Sequence, residues 1–162
     1  MVLFDWEWQL KFLGRFTFKV GSGFYHARGN GRFKTSQAGD RKPLEDFSLF
    51  MLPNSASLVY KFQFWNNQFL IPYVDAGVDA FALMEFQEGT SIPKLGGSFG
   101  AHFSGGLAWN IGFLDRWSLL ELDRDHGINS IYLTGEYRTY VHISGPYDFS
   151  GTFISGGFAA DF

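Results

Sequence analysis

Residues 4–12 read FDWEWQLKF, and apolar Phe4, Trp6, Trp8, Leu10 and Phe12 alternate without exception with polar Asp5, Glu7, Gln9 and Lys11. A period of two places every apolar side chain on one face of an extended strand, whereas on a helix the same residues would scatter around the axis. After Leu13 and Gly14 the alternation resumes, with Phe16, Phe18, Val20 and Phe24 on one side and Thr17, Lys19, Gly21, Gly23 and Tyr25 on the other, which makes a hairpin. The pattern returns over residues 47–64, 70–86, 98–113, 129–141 and 150–162, so seven strands fill most of a 162-residue chain. Polar stretches at 29–45, 87–97 and 142–149 read as loops. The period changes once, at residues 115–126 (DRWSLLELDRDH), where a short helix is expected with Asp115 or Ser118 as N-cap, Glu121 able to complete a capping box, and Gly127 closing its C-terminus. Neither a repeat beyond the alternation nor a domain boundary is visible, and a single all-β domain follows.

Alternation alone leaves open which way the apolar face points, because a soluble lipocalin-like barrel and a membrane barrel share the same period. Three features favour the apolar face outward. The strands match or exceed the ~9–11 residues that a tilted strand needs to cross a bilayer. The polar face is rich in small residues (Gly21, Gly23, Ser55, Ser57, Gly77, Gly100, Ser104, Gly106, Ser155, Gly157), which suit the cramped inside of a narrow barrel. Aromatics, a fifth of the chain, gather near strand ends (Phe4, Trp6, Phe12, Phe16, Phe62, Phe64, Trp65, Phe86, Phe99, Phe113, Trp117), as interfacial girdles require. Connections also read as short turns at one end and long loops at the other, the asymmetry of outer-membrane barrels. The expected fold is an antiparallel up-and-down transmembrane β-barrel with a plugged polar interior, holding Asp5, Glu7, Asp75, Asp79, Glu85, Glu136 and Asp161 among Lys11, Lys19, Lys61 and Arg138.

The segments LVYKFQF, IPYVDAGVDAF and GSFGAHFSGGLAWNIGFLD, then ELDRDHGIN, YLTGEYR and the terminal SGGFAADF, resemble an uncharacterised family of small bacterial outer-membrane β-barrel proteins, OmpA/OmpW-like, over nearly the whole chain. The resemblance implies residence in the Gram-negative outer membrane, outer-membrane lipid as partner, a monomer, and a C-terminal signal (Phe158, Ala160, Phe162) read by the barrel-assembly machinery. It further implies a signal peptide and an additional first strand. With seven strands visible and even numbers usual in bacterial barrels, residues 1–162 are expected to form one domain of an eight-stranded barrel lacking both. The last strand would then end at the periplasmic side, placing the helix there and the loops near 29–45, 87–97 and 142–149 outside the cell.

Chemistry is sparse. The chain has no Cys, which excludes thiolate metal sites and a cysteine nucleophile, and a net charge of −3 argues against nucleic acid. His102 and Ser104 share a strand face, and with Glu136 or Glu85 as orienting carboxylate they would form a Ser-His-acid set, the arrangement of a lipid A-modifying hydrolase. Such an enzyme must present the pair to lipid, and both residues fall on the polar, inward side. No catalytic residue is therefore assigned. The interior network is instead expected to comprise Glu7, Lys19, Lys61, Asp75, Asp79, Glu85, His102, Glu136 and Arg138, with Asp75 and Asp79 paired to Lys61 or Arg138 because even residues two apart on a strand face stand ~6–7 Å from each other. Asp123-Arg124-Asp125 begins like a calcium loop, but Ile128 and Thr134 occupy its sixth and twelfth positions, so no metal or cofactor is expected. Gly21-Ser22-Gly23 and Gly96-Gly97 precede no helix and cradle no phosphate. Arg28, Arg32, Lys34, Arg41 and Lys42 read first as solvated loop charges, with lipopolysaccharide phosphates as their functional alternative.

Overall fold

The computed structural model describes residues 1–10, 15–30, 46–65, 68–87, 93–112, 114 and 116–161. Strands β1 (Val2–Gln9), β2 (Phe16–Asn30), β3 (Asp46–Lys61), β4 (Leu70–Gln87) and β5 (Lys94–Asn110) are followed by helix α1 (Arg116–His126), then β6 (Ser130–Ser144) and β7 (Gly151–Asp161). Each strand pairs antiparallel with its neighbours in sequence, so the spatial order is the chain order. The result is one all-β sheet curled into a half-barrel. The curl brings β2 and β6, four strands apart, across the concave side, where Lys19 Nζ stands 3.8 Å from Glu136. β1 and β7 are the two edges. An odd number of antiparallel strands makes those edges run in the same direction.

The period of two separates two unlike faces. Lys19, Ser57, Asp75, Asp79, His102 and Arg138 are buried on the concave side, while Trp6, Phe18, Leu58, Val78, Phe103 and Phe158 are exposed on the convex one. Phe103 and Phe158 keep 63% and 78% of their surface open, against 0% for His102, the neighbour of Phe103 on the other face of β5. The distribution is the inverse of a water-soluble barrel, in which apolar side chains would fill the inside. On β1 and β7 both faces stay largely exposed, because an edge strand has a neighbour on one side only.

Several elements differ from the sequence reading. β2 runs to Asn30 and β5 begins at Lys94, inside the stretches expected as loops, and β6 extends to Ser144. The connections therefore span 6, 8 and 19 residues at one end and 15, 6 and 6 at the other, so the expected contrast of short turns and long loops does not hold. Ser118 stands inside the first turn of α1 and cannot be its N-cap, which removes the Ser118/Glu121 capping box; Asp115 lies outside the described residues. The C-terminus of α1 follows expectation: Gly127 takes φ +72° and its N–H donates to Asp123 O at 2.9 Å, an αL cap. Lys11, Phe12, Phe113, Phe162 and most of the basic loop, including Arg32, Lys34, Arg41 and Lys42, fall outside the described residues.

The concave face is also not polar throughout. Towards the end that carries the β4–β5 and β6–β7 connections, Met51, Phe81, Leu83 and Tyr140 form a buried apolar cluster against Tyr25, Leu49 and Phe149. The Phe81 ring meets that of Phe149 at 4.8 Å and a tilt of 37°, Phe149 being carried inward by the β6–β7 connection. That connection is pinned by Ser98, whose hydroxyl donates to Tyr147 O (2.9 Å) and accepts from Tyr147 N–H (3.2 Å). Gly145 turns over Ser98 with φ +120°, and a Cβ there would meet Ser98 Oγ at 2.5 Å and Gly97 O at 2.7 Å. Gly145→Ala is thus both strained and crowded, and it is expected to lower stability by about 1–3 kcal/mol, read as an earlier transition in urea unfolding followed by tryptophan fluorescence.

Candidate functional site

Strand register builds a row of inward residues across the sheet: Lys19 on β2, Ser57 on β3, Gly77 on β4, His102 on β5 and Tyr140 on β6. Two small residues lie between the lysine and the imidazole, leaving room for both to fold over the middle of the sheet. On β4, Gly77 is flanked by Asp75 and Asp79, which point to the same face. His102 lies across this glycine, with Nδ1 2.7 Å from Asp79 Oδ2 and Nε2 3.2 Å from Asp75 Oδ1. A carboxylate only accepts, so both contacts are hydrogen bonds when both ring nitrogens carry protons, and the geometry is that of an imidazolium between two carboxylates. Lys19 forms an ion pair with the other oxygen of Asp75.

A second group abuts the first on β6. Arg138 Nε donates to Glu136 Oε1 at 2.7 Å and Nη1 to the Tyr140 hydroxyl at 3.2 Å, while the Tyr73 hydroxyl donates to Glu136 Oε2 at 3.2 Å. Lys19, near Asp75 and Glu136 alike, links the two groups. Three cations (Lys19, His102, Arg138) thus face three carboxylates (Asp75, Asp79, Glu136), and the layer is neutral as a whole. Neutrality matters because an unpaired charge taken out of water costs several kcal/mol.

The candidates from the sequence are divided accordingly. Lys19, Asp75, Asp79, His102, Glu136 and Arg138 come together in this layer. Glu7 pairs instead with Lys61 at 2.6 Å, partly exposed. Glu85 sits far along β4, opposite Lys94 in register. The expected pairing of Asp75 and Asp79 with Lys61 or Arg138 is not what forms, because Lys61 is taken by Glu7 and Arg138 by Glu136. The Ser-His-acid set does not assemble either. Both His102 nitrogens face aspartates, Glu136 is held by Arg138 and Tyr73, and the buried Ser104 hydroxyl has no hydrogen-bond partner among the described residues. Ser57 Oγ is likewise buried and unpartnered among them. No cluster of His, Asp and Glu among the described residues is arranged to hold a metal ion. Phe158 and Ala160 of the C-terminal segment are exposed on the outer face of β7, and Phe162 is outside the described residues. Beyond the strands, the exposed Asp148 carboxylate accepts from Ser150, whose hydroxyl and N–H (2.8 Å) hold it below the ordinary carboxylate range.

Two features escape a reading of the sequence alone. The Asp75-Ala76-Gly77-Val78-Asp79 spacing is a legible signal, since two carboxylates on one face with a glycine between them form a cradle for a planar group. Its occupant, 23 residues downstream of Asp79, is fixed only by the β4–β5 register. The apolar cluster had a signal too, because Phe81 and Leu83 continue the inward parity of Asp75, Gly77 and Asp79.

No protein-family model, curated protein or solved structure matches the chain.

Removing the imidazole would leave two carboxylates buried side by side. His102→Ala is expected to cost about 3–5 kcal/mol, and a double-mutant cycle with Asp79→Asn should recover a large part of that loss in urea unfolding. At Gly77 a Cβ would meet His102 Cε1 at 2.8 Å and the Ser57 side chain more closely still. Gly77→Ala should therefore displace the ring, seen as a changed His102 imidazole NMR signal together with a loss of about 1–3 kcal/mol.

Proposed function

We propose that this chain forms the wall of an outer-membrane β-barrel without enzymatic activity, its apolar exterior facing lipid and its interior closed by side chains. Its role is envelope structure or recognition at the cell surface through the connecting loops. The observation that carries this reading is the inverted distribution of side chains: a buried, charge-neutral polar layer inside and aromatic and aliphatic residues exposed outside. Water-soluble monomers rarely expose apolar patches beyond a few hundred Å², and each such side chain moved from water into hydrocarbon contributes about 1.5–3 kcal/mol. The inversion disfavours a lipocalin-like protein, which needs an apolar cavity. No helix among the described residues is long and apolar enough to cross a membrane, so crossing would fall to the strands.

A plugged interior follows from two layers in series. The ion-paired layer fills the middle of the concave side, and the Phe81, Tyr140 and Phe149 rings fill one end. Bulk solute passage is therefore disfavoured. Lipid cannot satisfy the free backbone groups of an edge, so the reading also requires that β1 and β7 be covered within the membrane by a strand antiparallel to both.

Expressed behind an outer-membrane export signal, the protein should sediment with membranes, resist carbonate extraction and migrate faster in gel electrophoresis unheated than boiled. Recovery in the soluble fraction without detergent would overturn the membrane assignment. In planar bilayers the purified protein should give no steady ion conductance; stable open-channel steps would overturn the plugged interior.

A further inference from the structure

α1 is eleven residues long, shorter than the ~12–15 at which isolated helices become marginal in water, so it depends on the surfaces it touches. One side leans on the end of the sheet: Leu119 and Leu122 are half-buried, and the Leu119 methyls stand 2.9–3.1 Å from where a Cβ on Gly112 would lie. The other side is apolar and open. Trp117 and Leu120 expose 83% and 60% of their surface, and Leu114, just ahead of the helix, 70%. Trp117, Leu120 and Arg124 follow one another at spacings of three and four, which makes a narrow stripe along the helix.

The stripe lies at the end of the sheet where the convex face finishes in aromatic rings. Phe69 and Trp109 meet edge to face there at 5.5 Å, and Asn110 N–H donates to Phe69 O at 2.9 Å, tying the start of β4 to the end of β5. Phe64 and Trp65 are exposed at the same end. An apolar stripe of this kind, at the same end of the sheet as these exposed rings, ending in an exposed arginine that also stands 3.8 Å from Asp125 and bordered by Glu121, suits a boundary between hydrocarbon and water better than a dry protein contact.

We propose that α1 is an interfacial anchor, lying flat in the headgroup layer of the bilayer with Trp117 and Leu120 dipping towards the acyl chains and Arg124 at the lipid phosphates. The proposal rests on the membrane reading above and names the lipid surface as the occupant of this helix face. It gives the longest connection at that end of the sheet a task, which is to fix the height of the barrel in the membrane.

Because the chain has no Cys, one introduced cysteine carries a nitroxide label at a single site. Four variants, Trp117→Cys, Leu120→Cys, Asp125→Cys and Phe103→Cys, would be reconstituted in phosphatidylethanolamine and phosphatidylglycerol vesicles and probed by collision with oxygen and with a water-soluble nickel chelate. Labels at 117 and 120 should favour oxygen, at a depth of roughly 5–10 Å, and the label at 125 should favour the chelate. Chelate access at 117 and 120 equal to that at 125 overturns the anchor, as does a label at 117 that is immobilised but shielded from both probes, which would mean that protein covers it. The label at 103, in the middle of the convex wall, separates the two failures. If it is in lipid while 117 is in water, the anchor alone fails; if it too is open to the chelate, the membrane reading fails. Two independent stripe positions keep the test decisive should one variant misfold.

Discussion

His102 lies over Gly77 with an aspartate at each nitrogen, and this contact sets what the neighbouring positions can be. An imidazolium fully removed from solvent needs opposite charge close by on more than one side. Asp75 and Asp79 provide it, but their own charge then calls for Lys19, and Lys19 in turn shares Glu136 with Arg138. Each member is retained by the next. Filling a narrow interior with long charged side chains leaves no space for bulk elsewhere in the same layer, which is why Ser57, Gly77 and Ser104 stand among them.

The exterior follows from the interior. Where the concave side is occupied by paired charge there is no room inside for Phe, Leu and Val residues, and alternation sends most of them to the convex side, the cluster around Phe81 and Leu83 and the buried Val59 being the exceptions. A water-soluble domain gains most of its stability by hiding such residues from solvent. Here that gain is deferred to whatever medium surrounds the sheet. The interior holds by charge pairing and hydrogen bonds, the exterior by its surroundings, and the two demands meet at the aromatic ends of the strands.

Much of this arrangement can be read from the chain before any coordinates. Alternation assigns nearly every residue to a face, because period two has no alternative solution once the segments are long, and Phe4 to Gln9 or Val74 to Ala80 carry it cleanly. The helix and its Gly127 cap are equally legible from local chemistry. Pairing is not. Asp75 and Asp79, four residues apart on an extended strand, look too far apart to cooperate at ~13 Å between their Cα positions, yet their side chains lean to a ring lying over the glycine between them and meet one nitrogen each. Which ring enters depends on a register between distant segments, and register is a property of the whole sheet. Strand ends are also poorly marked, since polar residues such as Lys94 or Ser144 continue a strand whenever a neighbour offers hydrogen bonds. Phe81 and Leu83 show a further limit: parity puts them inside, but the expectation of a uniformly polar interior hides them.

The edges carry a consequence for association. β1 and β7 both point towards the end of the sheet where α1 lies, so two copies standing upright side by side offer each other only strands of like direction. Antiparallel zippering between such copies would require one of them to be upside down, and the parallel pairing left to them has slanted, slightly weaker hydrogen bonds. Strand parity thus guards the open edges against self-association while leaving them receptive to a single strand of the opposite sense.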